Sequence, residues 1–337
     1  MKNKKVIIFG PWVGEFSYEL SWWNPEIRKV RNEHYKDYHA VHIGFKGRRA
    51  MYKDFIDEYV SIPKELENKL KYPALNGEHI REVGEVIPDY ITDFLHEVAS
   101  KYHGDYDEIV HYSTTTMPMN SRTNEELPFG EYINYEVDSK IEEKVNKDIN
   151  NYFSKLGTES KDCIAIMARI RDRDRGENTE GCYLNWNPKS WEIFLDRVIN
   201  ELDTNIVIIS ISKRNAAGGS LSFKETEFYE KNKKNIMIMD FNDDDDSLEK
   251  QLGLLKSTKC SIYGASGSAV LPFFIKTPTF TQQTVEEGFR LKYQWERNLT
   301  DNLKNIKIFD KYHSGEDLYN SPSDELFEEF KEFYRGL

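Results

Sequence analysis

The residues with the clearest chemical potential follow a short apolar run. Val6-Ile7-Ile8-Phe9 gives way to GPWVGEFSYEL, Gly10–Leu20, which sets Glu15 and Glu19 at the mouth of a helix. A carboxylate on a loop after a strand suits the removal of a proton from an attacking hydroxyl. Glu15 is the first candidate base and Glu19 the second. The plainer use of both is electrostatic, because acids near a helix start favour its dipole. Gly10 and Gly14 permit tight turns and a close approach of backbone to ligand.

Cationic chemistry is concentrated further on, in IAIMARIRDRDRG, Ile164–Gly176. Arg169 and Arg171 share one face of the strand's carboxyl end, where guanidinium forks suit bidentate phosphate binding. Asp172 and Asp174 offer the alternative of a self-compensating solvated loop. In KCSIYGASGSAVLPFF a strand ends at Tyr263, and Gly264, Ala265, Ser266, Gly267 and Ser268 turn into an apolar helix. Backbone amides and two hydroxyls there form an anion cradle. A helix cap by Ser266 or Ser268 is the competing reading. No Gly-Lys-Ser/Thr follows, so this is not a P-loop. Lys213 and Arg214, in SISKRNAAGGS, lie on another strand-end loop within reach of phosphates. Asp243–Asp246 suit either a hard divalent ion or the start of a helix. His111 is a weaker candidate base, and Lys46, Arg48 and Arg49 a possible anion clamp after an early strand.

The elements that must hold these residues alternate along the chain. Val6–Phe9, Ala40–Phe45, Tyr59–Ile62 and Glu108–Ser113 read as strands. Helices are expected over Phe16–Asn32, bent or divided at Pro25, and over Arg48–Glu58, Tyr90–Ser100 and Asp138–Leu156. The turn-rich GTESK then marks a boundary. Beyond it, strands at Cys163–Arg169, Asn205–Ser210, Ile236–Phe241, Cys260–Tyr263 and Pro278–Thr281 alternate with helices at Trp186–Leu202, Phe223–Lys231, Ser247–Ser257, Gly267–Ile275 and Ser323–Tyr334. Such alternation predicts parallel sheets covered on both faces, hence an α/β protein of two doubly wound, Rossmann-like domains with an interdomain cleft. The expected division is 1–157, 158–315 and a terminal helix in 316–337 that packs back toward the first domain.

With 337 residues, 39% hydrophobic and 31% charged, the chain is a globular protein rather than a disordered one. A net charge of −12 argues against broad nucleic-acid binding, which needs a basic face. Cys163, Cys182 and Cys260 show no CxxC spacing, so neither zinc nor a redox pair is suggested. Cys163 and Cys260 sit in apolar runs and are expected to be buried. The sparse cysteines fit a reducing cytoplasm, and the early apolar run ends at Gly-Pro, too short for a signal sequence. No stretch approaches the ~20 apolar residues of a membrane span. The Asn- and Lys-rich wording fits an AT-rich bacterial or phage genome.

Taken together, GPWVGEFSYEL after the first strand and CSIYGASGSAVLPFFIKTPTF near the end resemble GT-B fold glycosyltransferases of the heptosyltransferase-like branch. In that branch a glycine-rich loop after the first strand carries an acidic residue, and Glu15 matches it. The long Pro63–Pro88 insertion and the arginine run depart from the pattern. The resemblance implies a nucleotide-sugar donor on the second domain, held by Arg169, Arg171, Lys213, Tyr263 and the Ser266-Gly267-Ser268 turn. Glu287 would receive a ribose hydroxyl or the sugar. Gly14 and Glu15 would face the acceptor for one inverting displacement without a metal or other cofactor. The acceptor is a glycan, a lipid-linked precursor or a hydroxymethylated base in viral DNA. The rival readings are an epimerase or hydrolase of the same fold and a non-catalytic sugar- or nucleotide-binding protein. A dehydrogenase is disfavoured, since no GxGxxG follows an early strand.

Overall fold

A computed structural model describes residues 4–13, 16, 19–70, 87–112, 130, 131, 133–159, 161–170, 185–211, 219–241, 246–264, 267–286, 288, 292 and 305–337. The chain packs as two compact units, Met1–Ile133 with Asp243–Leu248, and Asn134–Asn242 with Glu249–Leu337.

The first unit is built on four parallel strands, β1 (Lys5–Phe9), β2 (His39–Gly44), β3 (Glu58–Ser61) and β4 (Glu108–Tyr112), in the order β3-β2-β1-β4. Val6–Phe9 is wholly buried, as a central parallel strand covered on both faces must be. The chain runs outward from β1 through β2 to β3 and then returns to the other side of β1. This reversal puts the carboxyl ends of β1 and β4 side by side, where Gly10 N–H donates to the Tyr112 carbonyl at 2.9 Å. The helix expected over Phe16–Asn32 has a π-helical turn at Glu19–Trp23, and the α-helix proper is Asn24–His34. Pro25 lies in the first turn of that α-helix, where no backbone donor is missed, so it divides the segment rather than bending it. The helix expected over Arg48–Glu58 is only a 3-10 turn, Arg49–Met51. Arg48 and Tyr52 turn inward there to the Glu19 carboxylate, and the helical repeat is not sustained.

Six parallel strands form the second sheet: β5 (Cys163–Met167), β7 (Asn205–Ser210), β9 (Ile236–Asp240), β10 (Cys260–Tyr263), β11 (Thr279–Thr284) and β12 (Ile306–Tyr312). Their order is β12-β11-β10-β5-β7-β9, and the short strands β6 (Arg169–Ile170) and β8 (Gly219–Ser220) pair antiparallel beside it. Strand β12 escapes the sequence reading because Lys307 and Lys311 interrupt its apolar run. Those lysines pair with Glu329 and Glu325 of the helix Ser323–Arg335, a charged edge that discourages further strand addition.

The helices Pro188–Glu201 and Ser323–Arg335 cover one face of this sheet. Asn187 caps the first of them through Lys189 N–H at 2.8 Å, and Pro188 occupies its first turn. Phe330, fully buried, lies with its ring centre 5.8 Å from Phe194 and 5.4 Å from Phe280. The terminal helix was expected to pack toward the first domain. Its apolar face, Leu326, Phe327, Phe330 and Tyr334, is instead taken up inside the second unit. The helix Ser139–Ser154 likewise belongs to the second unit, so the chain leaves the first unit before residue 157. Its buried face, Val145, Ile149 and Phe153, explains this, and Tyr152 O–H donates to the Ile236 carbonyl at 2.9 Å. Cys260 is buried and Cys163 only half-buried, both as free thiols, while Cys182 lies outside the described residues. No helix among the described residues is long and apolar enough to cross a membrane.

Candidate functional site

In an open parallel sheet, ligands bind beyond the carboxyl ends of the strands where the strand order reverses. In the second unit that point lies between β5 and β10. Met167 and Tyr263 are partners in register there, and Gly264 N–H donates to the Met167 carbonyl at 3.0 Å. A Cβ on Gly264 would stand 3.3 Å from Trp191 Cζ2 and 3.5 Å from the Arg169 nitrogen, so glycine lets three segments converge. Arg169 follows directly, half-buried, with its backbone paired to Ser220. Leu221 N–H donates to the Ala168 carbonyl at 2.7 Å, and Ile211 N–H to Ser220 Oγ at 2.9 Å. These bonds fix the path of the chain as it leaves β5 and β7.

From Gly267 to Ile275 the backbone forms a 3-10 helix rather than the expected α-helix, with Pro272 inside it. Tighter winding removes the need for the donor that proline lacks four residues along. Two buried ring groups at this end of the unit, the Tyr263 hydroxyl and the Trp191 indole N–H, have no hydrogen-bond partner among the described residues. Burial holds the Tyr263 phenol well above its ordinary range, so it stays protonated.

Of the candidate donor-binding residues, the structure therefore places Arg169 and Tyr263, and the backbone of Gly267 and Ser268, around the strand-order reversal. Arg171, Lys213, Ser266 and Glu287 lie outside the described residues. Asp243, Asp244 and Asp245 do as well, and Asp246 is exposed. Among the described residues no group of three His, Cys, Asp or Glu side chains is arranged to hold a metal ion.

In the first unit the equivalent point follows β1. Gly10 has φ of 101°, and a Cβ there would stand 2.6 Å from the Ile43 carbonyl oxygen, so only glycine fits. Trp12 N–H donates to that same carbonyl at 2.9 Å and brings its indole onto Trp23, ring centres 5.6 Å apart. Trp23 Nε1 donates to His42 Nε2 at 2.9 Å. His42 stacks on Tyr52 with ring centres 3.9 Å apart. The Tyr52 hydroxyl donates to Glu19 Oε1 at 2.7 Å, and Arg48 closes the chain as an ion pair with Glu19. Burial pushes the Glu19 carboxyl above its ordinary range, against the pull of Arg48 and Tyr52. Burial also lowers His42 to about 3, so the ring is neutral, and the Trp23 bond leaves its proton on Nδ1.

Glu19 is thus fully buried and engaged by two partners, which gives it the work of orienting Arg48 rather than that of a free base. Arg48, weighed as an anion clamp, is committed to that pair, whereas Lys46 and Arg49 are exposed. His111 is exposed on β4, its pKa lowered by partial burial and by His96 and His103. Gly14 and Glu15 lie outside the described residues. Sequence reasoning assigned no role to Trp12, Trp22, Trp23, His42 or Trp191. Three tryptophans within twelve residues, directly after a buried strand, were the available signal.

No family model and no curated protein matches the chain. Solved structures do. The E. coli ADP-heptose LPS heptosyltransferase II is similar over 98% of this chain and 99% of its own, at 11% identity and a TM-score of 0.51. The family 9 glycosyl transferase of Veillonella parvula is similar over 100% of this chain and 99% of its own, at 10% identity and a TM-score of 0.57. At such identities the likeness is one of fold. The chain has the GT-B fold in its heptosyltransferase-like form.

Proposed function

We propose that the chain is a glycosyltransferase that moves a sugar from a nucleotide-sugar donor to an acceptor hydroxyl, with inversion and without a metal. The observation that carries this is the strand-order reversal of the second sheet, where Arg169, Gly264 and the start of the 3-10 helix meet within a GT-B fold. The donor's diphosphate binds there. Arg169, with Arg171 and Lys213, offers cationic donors, and the backbone of the Ser266-Gly267-Ser268 turn offers amides. Tyr263 adds a hydroxyl that has no partner in the fold. Glu287 takes a ribose hydroxyl.

Glu15 removes the acceptor's hydroxyl proton as that oxygen bonds to the anomeric carbon. The bond from that carbon to the phosphate oxygen breaks, and the nucleoside diphosphate departs with the electron pair. Fixed positive charge around the leaving phosphate lowers the barrier by electrostatic stabilisation, as a metal does in other transferases. Glu19 is not part of this proposal as a base, because its oxygens are already engaged.

Thermal melting in EDTA against UDP, GDP, ADP, CDP and their sugar conjugates tests the reading. One nucleoside diphosphate at 100 times its Kd raises stability by about 2.7 kcal/mol. Absence of any shift with every nucleotide removes the proposal. A shift that requires Mg²⁺ or Mn²⁺ removes its metal-free clause.

A further inference from the structure

The cluster after β1 contains three ring N–H groups with nothing to bind. Trp12 Nε1, Trp22 Nε1 and His42 Nδ1 are buried and have no hydrogen-bond partner among the described residues. Their rings belong to one group. Trp12, Trp22 and Trp23 are mutually 5.6–6.0 Å apart between ring centres, and His42 is 6.2 Å from Trp23. Buried indole N–H groups ordinarily find an acceptor. An unmet buried donor costs about 1–3 kcal/mol, so three of them in one place favour anything that brings acceptor oxygens to them.

The charge in this region is already balanced. Arg48 is neutralised by Glu19, which Tyr52 holds in place. The guanidinium also lies over the rings of Phe45 and Phe16, 4.7 and 5.0 Å from their centres. Its side chain keeps 15% exposure while Glu19 keeps none, so the arginine is the member of the pair that reaches the surface. A π-helical turn, a form that recurs at functional sites, carries Glu19, Trp22 and Trp23 into this arrangement. The region as a whole offers hydrogen-bond donors without net charge.

Resting on the glycosyltransferase reading, we propose that this cluster is the acceptor subsite and that the acceptor is an uncharged sugar, its hydroxyl and ring oxygens meeting the donors of Trp12, Trp22, His42 and Arg48. A phosphate-bearing acceptor, such as a nucleic acid or a lipid diphosphate, would have no unpaired cation to meet there. Among the three acceptor classes the sequence leaves open, the geometry selects the glycan.

The test follows the indole N–H resonances of the full-length, 15N-tryptophan-labelled protein without nucleotide. Trp12 and Trp22 are assigned from Trp12→Phe and Trp22→Phe. The probes are methyl glycosides of glucose, galactose, mannose and N-acetylglucosamine, then glucose 6-phosphate and a DNA oligonucleotide containing hydroxymethylcytosine. Saturable shifts of the Trp12 and Trp22 signals with a neutral glycoside support the proposal.

Trp22→Phe keeps the ring and removes a donor that the fold does not use. It is expected to melt no lower than the parent while binding that glycoside roughly tenfold more weakly, the scale of one lost hydrogen bond. Arg48→Lys, which keeps a cation beside Glu19, is expected to weaken binding similarly because the planar fork is lost. Shifts produced only by the phosphorylated sugar or the DNA overturn the proposal. So does the absence of any indole shift, or unchanged glycoside affinity in both variants. Nucleotide melting is independent of this experiment. A nucleotide response with silent indoles sinks only the acceptor subsite, and glycoside binding without any nucleotide response sinks only the transferase reading.

Discussion

At the scale of single residues, the first unit holds an imidazole that burial keeps neutral. His42 has a folded pKa of about 3 against an ordinary value of 6.5. Its contribution to stability is complete above pH 6.5, where both states are neutral, and is lost as pH falls toward 3, because only the unfolded chain takes the proton. Between pH 6.5 and 5 this one group lowers the unfolding free energy by about 2 kcal/mol. Urea unfolding of the parent and of His42→Gln at those two pH values measures it, and parallel pH slopes would sink the assignment. Glu15 makes a different kind of prediction, which belongs to the proposed reaction. Glu15→Gln is expected to leave the melt and the nucleotide affinity unchanged while slowing turnover by about 10²–10⁴-fold. A variant that retains full turnover would remove Glu15 as the base.

At the scale of elements, the terminal helix shows how a segment is assigned to a unit by the surface it buries. Four apolar residues of Ser323–Arg335 are buried, and Arg197 reaches across to Asp324 at 3.0 Å and Glu328 at 2.8 Å. The ion pairs lie on the exposed rim and contribute little. The aromatic contacts dominate, and Phe330→Ala is expected to cost about 3–5 kcal/mol through lost burial and the cavity left behind. Denaturant unfolding followed by hydrogen exchange of the helix amides checks this. A loss below about 1 kcal/mol would show that the helix is not part of the second unit's core.

The whole molecule carries a formal charge of −12, and its one strongly basic tract, Arg169–Arg175, is interleaved with Asp172 and Asp174. Counterion release from duplex DNA needs a continuous basic face. Duplex DNA of random sequence is therefore expected to show no retention on the protein at 50 or 200 mM salt. Salt-dependent retention at the lower concentration would reopen the nucleic-acid acceptor. The same polarity of charge leaves cations clustered near the end of β5, where the proposed donor phosphates bind.

Much of the architecture was legible from the chain. Buried parallel strands read as unbroken apolar runs, so β1, β2, β4, β5, β7, β9 and β10 were each anticipated to within about two residues. Strand β12 was not, because a charged edge breaks that run, and β11 was read too short because its second half, Gln282-Gln283-Thr284, is polar although buried. Candidate residues were legible by type and by position after a strand, as Arg169 and Tyr263 were. What each side chain touches was not, since partners lie far apart in sequence: Glu19 meets Arg48 and Tyr52, 29 and 33 residues away. The sequence by itself determined the alternation of strand and helix, the parallel sheets and the glycine-bearing turns at their carboxyl ends, all of which depend on local pattern and burial period. Only the tertiary structure decided that Glu19 is an orienting partner, that the last helix belongs to the second unit, and that the tryptophans after β1 carry unmet donors. Each of those outcomes depends on which distant surfaces exclude water together.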